Sequence, residues 1–226
     1  QMVEGLAKYN YSTSAKITWG GQKIVRKSKN LSKDYFALTR DSGAYNLALG
    51  VESGSNDVLA HIKKGVTRQD LDLFIENFDA HDITCQYQII VGYPNETEKN
   101  FEETLDMFYD HQKYIASGTI HGTTLHPMMI VEGTPLEQST NRVYKKISDI
   151  DDSWGWESTV VDNLNWDTRV KRVITALEVC NLLKWPVIRA DQTIGNLLKK
   201  HQSYLEWKKT PTSKNIIRQP NPSILS

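Results

Sequence analysis

The sequence predicts an α/β fold: a partial (βα) barrel of the TIM type with parallel strands, followed by a C-terminal helical extension. Two observations support this fold class. Stretches that alternate between apolar and polar residues, as β-strands do, are separated by segments of helical length and periodicity. That order is typical of right-handed parallel βαβ units, and four such strands would form half of an eight-stranded barrel. From Glu137 onward the alternation stops.

The composition indicates a packed core without a charge bias. The 226 residues are 39% hydrophobic and 24% charged, which fits one large domain or one domain with an appendage. Lys plus Arg and Asp plus Glu both count 27, which argues against a general nucleic-acid or membrane-surface binder. Cys85 and Cys180 lie far apart, form no metal-spaced pair and indicate a reducing compartment, so we expect a cytoplasmic protein.

One strand organises the chain, and it ends at Glu52. Its two faces differ, because one is apolar and the other carries small or polar residues, which suits a wall between helices and a cavity. A carboxylate at the C-terminal end of a parallel strand, before a small-residue turn, is where α/β proteins place ligand groups. A solvated glutamate in a turn is the alternative. The apolar face is Tyr45, Leu47, Leu49 and Val51, and the other is Asn46, Ala48, Gly50 and Glu52.

The other elements of the first half follow from caps, stops and periodicity. Gly20 and Gly21 end the first strand, while Ser32 caps the first complete helix and Gly43 stops it. The basic segment over residues 21–30 is a solvated loop or a contact for an anionic ligand. In order, the predicted elements are a helix end over 2–10, a strand over 15–19, a helix over 31–42, helices after Ser55 and Thr67, a strand over 83–91, a helix after 92–97 and a strand within 118–130.

Two glutamines point to a chamber beside the strand over residues 83–91. Gln86 and Gln88 lie on its inner side, and an unpaired buried amide costs about 1–3 kcal/mol. We predict that they line a polar substrate chamber, with exposure at a sheet edge as the alternative. His121 and His126 are five residues apart, which is more typical of structural histidines than of metal ligands, so we assign no metal ligand to this chain.

The second half predicts an irregular segment, two helices and a tail. Residues 149–166 are polar without a clear period and are predicted to form a linker or lid around Trp154 and Trp156. Helices are predicted over residues 167–183 and 190–207, and the Pro- and Ser-rich stretch from Thr210 is predicted to be mobile. We expect a barrel domain over residues 1–136 and an appended region over residues 137–226.

Three motifs in the expected order resemble the later half of the radical S-adenosylmethionine core, most closely in the group whose members often carry a cobalamin-binding domain. They are GVESGSNDVLAHIKKGVT at residues 50–67, IIVGYPNETEKNFEETL at 89–105 and EGTPLE at 132–137. The resemblance covers residues 15–137. It implies an enzyme that binds S-adenosylmethionine with a 4Fe–4S cluster and generates a 5′-deoxyadenosyl radical or, with cobalamin, transfers a methyl group.

The resemblance also implies roles for individual residues. Glu52 would accept hydrogen bonds from the ribose hydroxyls of the cofactor, and a carboxylate can take both hydroxyls through charge-assisted bonds. Ser53 and Ser55 would add hydroxyl contacts. The strand end at Ile90, Val91 and Gly92 would flank adenine. Gln88 and Asn95 depart from the family's usual residues, Gly at the first position and Gly or Thr at the second. No catalytic residue is assigned.

The cluster motif of that family, C-x3-C-x2-C, does not occur in this sequence. Because the chain begins at Gln1 and enters structure almost at once, we expect a piece of a longer protein, with the cluster ligands and the N-terminal half of the barrel outside it. A piece of this kind would be inactive alone, and its open sheet edges would favour self-association.

Two other functions remain open at this stage. A cluster-free barrel that acts as a binding or scaffold module is the first. An unrelated barrel enzyme such as an aldolase is the second, and the lack of a well-placed lysine near a strand end argues against it. In barrels of this type the loops determine substrate specificity.

Overall fold

Four parallel strands form the centre of the fold. The computed structural model describes residues 2–27, 31, 34–139, 142–147 and 153–209. Its sheet has the order β1-β2-β3-β4, and each neighbouring pair is parallel, as βαβ units require. The predicted α/β fold class is therefore confirmed. The strands are β1 (Trp19–Ile24), β2 (Ala44–Glu52), β3 (Cys85–Val91) and β4 (Ile120–Pro127).

Helices connect and cover these strands, and a short antiparallel ribbon follows them. The helices are α1 (Met2–Ser12), α2 (Tyr35–Asp41), α3 (Asn56–His61), α4 (Arg68–Ala80), α5 (Glu98–Asp110), α6 (Gln112–Ala116), α7 (Trp166–Leu182) and α8 (Ala190–Lys208). The ribbon pairs β5 (Tyr144–Lys146) with β6 (Trp156–Ser158). None of the helices that the structure describes is long and apolar enough to span a bilayer.

The two faces of the sheet differ as the alternation predicts. Leu47, Leu49 and Val51 of β2 are buried, and so are the alternate residues of β3 from Cys85 to Val91. They join one apolar cluster with side chains of α4, α5 and α7. The intervening residues form the other, inner face, which is partly exposed along β3. Tyr45 was expected on the apolar face, but it is 52% exposed because it lies at the very start of β2.

The first strand lies later in the chain than the sequence predicts. Residues 15–18 are not a strand, because the side chain of Asn10 bonds both the N–H and the carbonyl of Ile17, at 2.8 and 3.0 Å. Pairing instead begins at Trp19 and continues through the glycines that were expected to end it. At Gly20 a Cβ atom would lie 3.1 Å from the carbonyl oxygen of Tyr45, so the close approach of the strands favours glycine there.

Two further predictions are corrected. The helix expected from residue 31 begins at Tyr35, and the proposed cap Ser32 lies outside the described residues. The segment expected as an irregular lid contains β6, and its Trp154 and Trp156 are buried. Trp156 is held there because the guanidinium of Arg169 stacks on its ring, 3.6 Å from the centroid. The tail from Thr210 lies outside the described residues.

One sheet edge is less open than expected. The N–H of Thr123 in β4 donates to the carbonyl of Pro186 at 2.8 Å, and the N–H of Ile188 donates to the carbonyl of Thr123 at 2.8 Å. The chain between α7 and α8 therefore adds a short parallel bridge, Thr123 to Val187, at the edge of β4. Self-association through open edges stays a prediction, as does the domain boundary after residue 136.

Candidate functional site

Glu52 ends β2 with its carboxylate on the inner face of the sheet. Its backbone has φ of +69°, and the pairing of β2 with β3 shifts register between Gly50 and Glu52. A Cβ atom added at Gly50 would lie 2.6 Å from Oε1 of Glu52 and 3.0 Å from Nζ of Lys64. The glutamate side chain thus folds back over Gly50, and the absent side chain at that position leaves the space.

An ion pair holds one oxygen of this carboxylate. Nζ of Lys64 lies 2.8 Å from Oε1 of Glu52, and the two side chains are 17% and 22% exposed. Among the described residues Oε2 has no partner, so it can accept further hydrogen bonds. Lys64 thus lies near a strand end, in an ion pair that the sequence did not indicate. Lys64 was missed because it arrives from the connection between α3 and α4, where Gly65 turns the chain with φ of +74°.

A small cavity of about 280 Å³ opens beside the ion pair. Its walls are mostly apolar, so a ligand there would meet an apolar surface and one pair of opposite charges. A cavity of this kind suits a planar apolar group that is joined to a hydrogen-bonding group. The lining residues are Glu52, Val58, Ile62, Lys64, Ile90, Tyr93 and Met128.

The three residues expected to flank adenine, Ile90, Val91 and Gly92, do not share one environment. Ile90 lines the small cavity, as its inner position predicts. Val91 is buried on the opposite face, and its carbonyl accepts from the N–H of Met128 at 2.7 Å. Gly92 has φ of +81°, and a Cβ atom there would collide with the side chain of Arg169, so this turn requires glycine.

Ser53 and Ser55 lie beneath the turn, where they contact α5. Both are buried. The hydroxyls of Ser53 and Thr104 are 2.9 Å apart, and Oγ of Ser55 donates to Oε2 of Glu103 at 2.5 Å. Asn100 donates to Oγ of Ser55 at 3.0 Å. These bonds fix the turn to α5, and the contacts of both serines with a cofactor stay a prediction.

A second glutamate is buried in the turn that follows β3. Glu96 is 1% exposed, and its Oε2 accepts from the backbone N–H groups of Gly92 and Tyr93. Arg172 of α7 lies 3.5 Å from the same oxygen and donates to the carbonyl of Glu96 at 3.0 Å. Burial raises the pKa of Glu96 to about 7, against the lowering effect of Arg172.

The inner face of β3 and β4 borders a larger cavity of about 770 Å³. Gln86 and Gln88 lie in its wall, and because β3 is flanked by β2 and β4 they are not at a sheet edge. They border this cavity, and their role in lining a substrate chamber stays a prediction. Helix α8 forms the opposite wall.

The described residues offer no site for a metal cluster. No group of three or more His, Cys, Asp or Glu side chains comes together among them. Cys85 and Cys180 are both buried, and burial raises the pKa of Cys180 to about 12, which disfavours the thiolate that iron requires. His126 borders the larger cavity, and burial lowers its pKa.

Comparisons with curated proteins find relatives that modify tRNA. The chain is 29% identical over 110 residues to tRNA-2-methylthio-N(6)-dimethylallyladenosine synthase of Legionella pneumophila (strain Corby). This match covers 48% of the chain and 22% of that protein. It is 25% identical over 130 residues to the probable threonylcarbamoyladenosine tRNA methylthiotransferase of Methanocaldococcus jannaschii, or 57% of the chain and 30% of that protein. The chain thus spans less than a third of the length of either relative. No family model matches it.

Among solved structures, the radical S-adenosylmethionine methyltransferase TsrM from Kitasatospora setae, which holds cobalamin and a 4Fe–4S cluster, has a similar fold. The TM-score is 0.51 at 12% identity, over 77% of this chain and 39% of that one. Together with the tRNA-modifying relatives, this likeness confirms the resemblance to the radical S-adenosylmethionine superfamily.

Proposed function

We propose that this chain is part of a radical S-adenosylmethionine enzyme and that its small cavity holds the adenosine portion of S-adenosylmethionine. The observation that carries the proposal is the inward carboxylate of Glu52, whose Oε2 has no partner among the described residues. A carboxylate at this point can accept both ribose hydroxyls. Ile90 would pack against adenine, with the backbone of Val91 and Gly92 beside it.

The described residues fit S-adenosylmethionine better than they fit a 4Fe–4S cluster. The small cavity offers an acceptor and apolar walls, which suit a nucleoside, whereas the two buried cysteines suit no cluster. We propose that the cluster ligands lie outside these 226 residues, as does any cobalamin-binding domain. S-adenosylmethionine supplies a 5′-deoxyadenosyl radical or a methyl group when it is bound in such enzymes, and this chain would orient its ribose and adenine.

Binding of 5′-deoxyadenosine to this chain tests the site. We expect measurable binding by isothermal titration calorimetry, and Glu52→Gln should weaken it about ten-fold or more, because a charge-assisted bond contributes about 1.5–3 kcal/mol. Glu76→Gln removes an exposed carboxylate on α4 and should leave the affinity unchanged. Absence of binding to the unaltered chain, or equal affinities of the two variants, would overturn the assignment.

A cluster-free adenosine-binding module is the second candidate, and the absence of C-x3-C-x2-C from these 226 residues favours it. The longer gene product separates the two. After anaerobic reconstitution with iron and sulfide, the enzyme reading predicts the visible absorbance of a 4Fe–4S cluster. A full-length product without upstream cysteines and without that absorbance would support the cluster-free binding module instead of the enzyme.

A further inference from the structure

We propose that the 770 Å³ cavity binds a small anionic molecule that carries a phosphate or carboxylate group on an uncharged, hydrogen-bonding body. The anionic group would face α8, and the uncharged body would face β3 and β4. Calling this molecule the substrate rests on the function proposed above, whereas its binding does not depend on Glu52.

The strand wall of this cavity is polar and uncharged. Gln86, Gln88 and Thr124 line it, and Gln88 and Thr124 are register partners on neighbouring strands. Neither glutamine amide has a hydrogen-bond partner among the described residues, so both amides present a donor and an acceptor to the cavity. Both side chains are partly exposed, so their amides are accessible from the cavity and suit a ligand that can both donate and accept.

The helical wall carries the charge. Arg189 and Lys200 line it together with the amides of Gln192 and Asn196, and none of the described lining residues is a carboxylate. Arg189 has no ion pair among the described residues, whereas Lys200 already has partners, among them Sδ of Met129 at 3.8 Å from its Nζ, so Arg189 is the cation that a ligand would meet first. A cleft lined by one sign of charge attracts ligands of the opposite sign. The lining therefore selects an anion.

The two cavities lie side by side on the same face of the sheet. Ile90 of β3 lines the small cavity, and its register partner His126 of β4 lines the larger one. A molecule in the larger cavity would therefore neighbour a nucleoside in the small one. This arrangement is the one that a cofactor and its substrate require.

Nuclear magnetic resonance titration tests the proposal on this chain. The probes are ribose 5-phosphate, ribonate and ribose, and the signals are the assigned side-chain amides of Gln86 and Gln88. We expect the anionic probes to shift these signals. Ribose should need a concentration about ten-fold higher or more to give the same shift. Arg189→Gln should weaken binding about five-fold. The control Lys199→Gln, an exposed lysine of α8 outside the cavity lining, should leave it within about two-fold.

The probes identify the acidic group, and a variant separates this proposal from the proposed function. A response to ribose 5-phosphate alone assigns a phosphate ester, and a response to ribonate alone assigns a carboxylic acid. Equal responses to all three probes, no response, or equal losses in the two variants would overturn the proposal. The titration is repeated with Glu52→Gln, because ribose hydroxyls could bind Glu52. Unchanged shifts there support the larger cavity, even if 5′-deoxyadenosine fails to bind.

Discussion

Two glutamates near the C-terminal ends of neighbouring strands lie in different environments. Glu52 ends β2, is 22% exposed on its side chain and has one oxygen paired with Lys64. Glu96 follows β3, is 1% exposed and accepts from two backbone N–H groups beside Arg172. The comparison shows that a strand-end carboxylate is available to a ligand only where the next βα connection leaves it partly exposed. Glu52 meets that condition, and Glu96 holds the fold.

Removing each cation gives the largest expected difference between the two sites. Arg172→Met should lower the free energy of unfolding by about 3–5 kcal/mol at about pH 8, because it leaves a buried carboxylate without its partner. Lys64→Met should lower it by about 1 kcal/mol or less, since that pair is partly exposed and screened by solvent. Urea denaturation measures both. Equal losses would show that the two pairs are energetically alike.

Substituting the glycine beside each glutamate should separate stability from binding. Gly92→Ala should cost about 3 kcal/mol, because it adds strain at positive φ and collides with Arg169. In Gly50→Ala the new methyl group meets only the flexible ends of Glu52 and Lys64, so stability should fall by about 1 kcal/mol while binding of 5′-deoxyadenosine weakens. A stable Gly92→Ala protein, or unchanged binding by Gly50→Ala, would contradict these roles.

The pH dependence of stability should contain a contribution from Glu96. Its pKa is raised from 4.5 to about 7, so the folded protein binds this proton more tightly than the unfolded chain does. This proton therefore contributes to the free energy of unfolding. The contribution is fully present below pH 4.5 and falls by about 2–3 kcal/mol as the pH rises towards 7. Thermal or urea unfolding across this pH range should show this decrease in the unaltered protein and not in Glu96→Gln. Parallel curves would contradict it.

The smallest expected effect concerns the ion pair in the small cavity. Lys64→Met frees Oε1 of Glu52 and should strengthen binding of 5′-deoxyadenosine by about two- to five-fold, the equivalent of about 1 kcal/mol or less. Calorimetric titration measures the change. Weaker binding would mean that Lys64 itself contacts the nucleoside.

The sequence predicts local features well and distant partners poorly. Alternation identifies the two faces of β2 and β3, and with them the positions of Glu52 and Ile90, because a strand records its environment in every second residue. Lys64 and Arg172 reach their glutamates across 12 and 76 residues of chain, and neither distance leaves a local pattern. The side chain of Asn10 likewise hydrogen-bonds the backbone of Ile17 through a tertiary contact. With that backbone already bonded, β1 lies later in the chain than predicted.

Calorimetry with two matched nucleosides tests the central role of Glu52 most directly. Adenosine and 2′,3′-dideoxyadenosine differ only in the ribose hydroxyls, so their difference in binding free energy measures what those hydroxyls contribute. We predict that the unaltered chain prefers adenosine by about ten-fold or more and that Glu52→Gln loses most of this preference. An equal preference in both proteins would contradict the account, because the hydroxyls would then be recognised elsewhere.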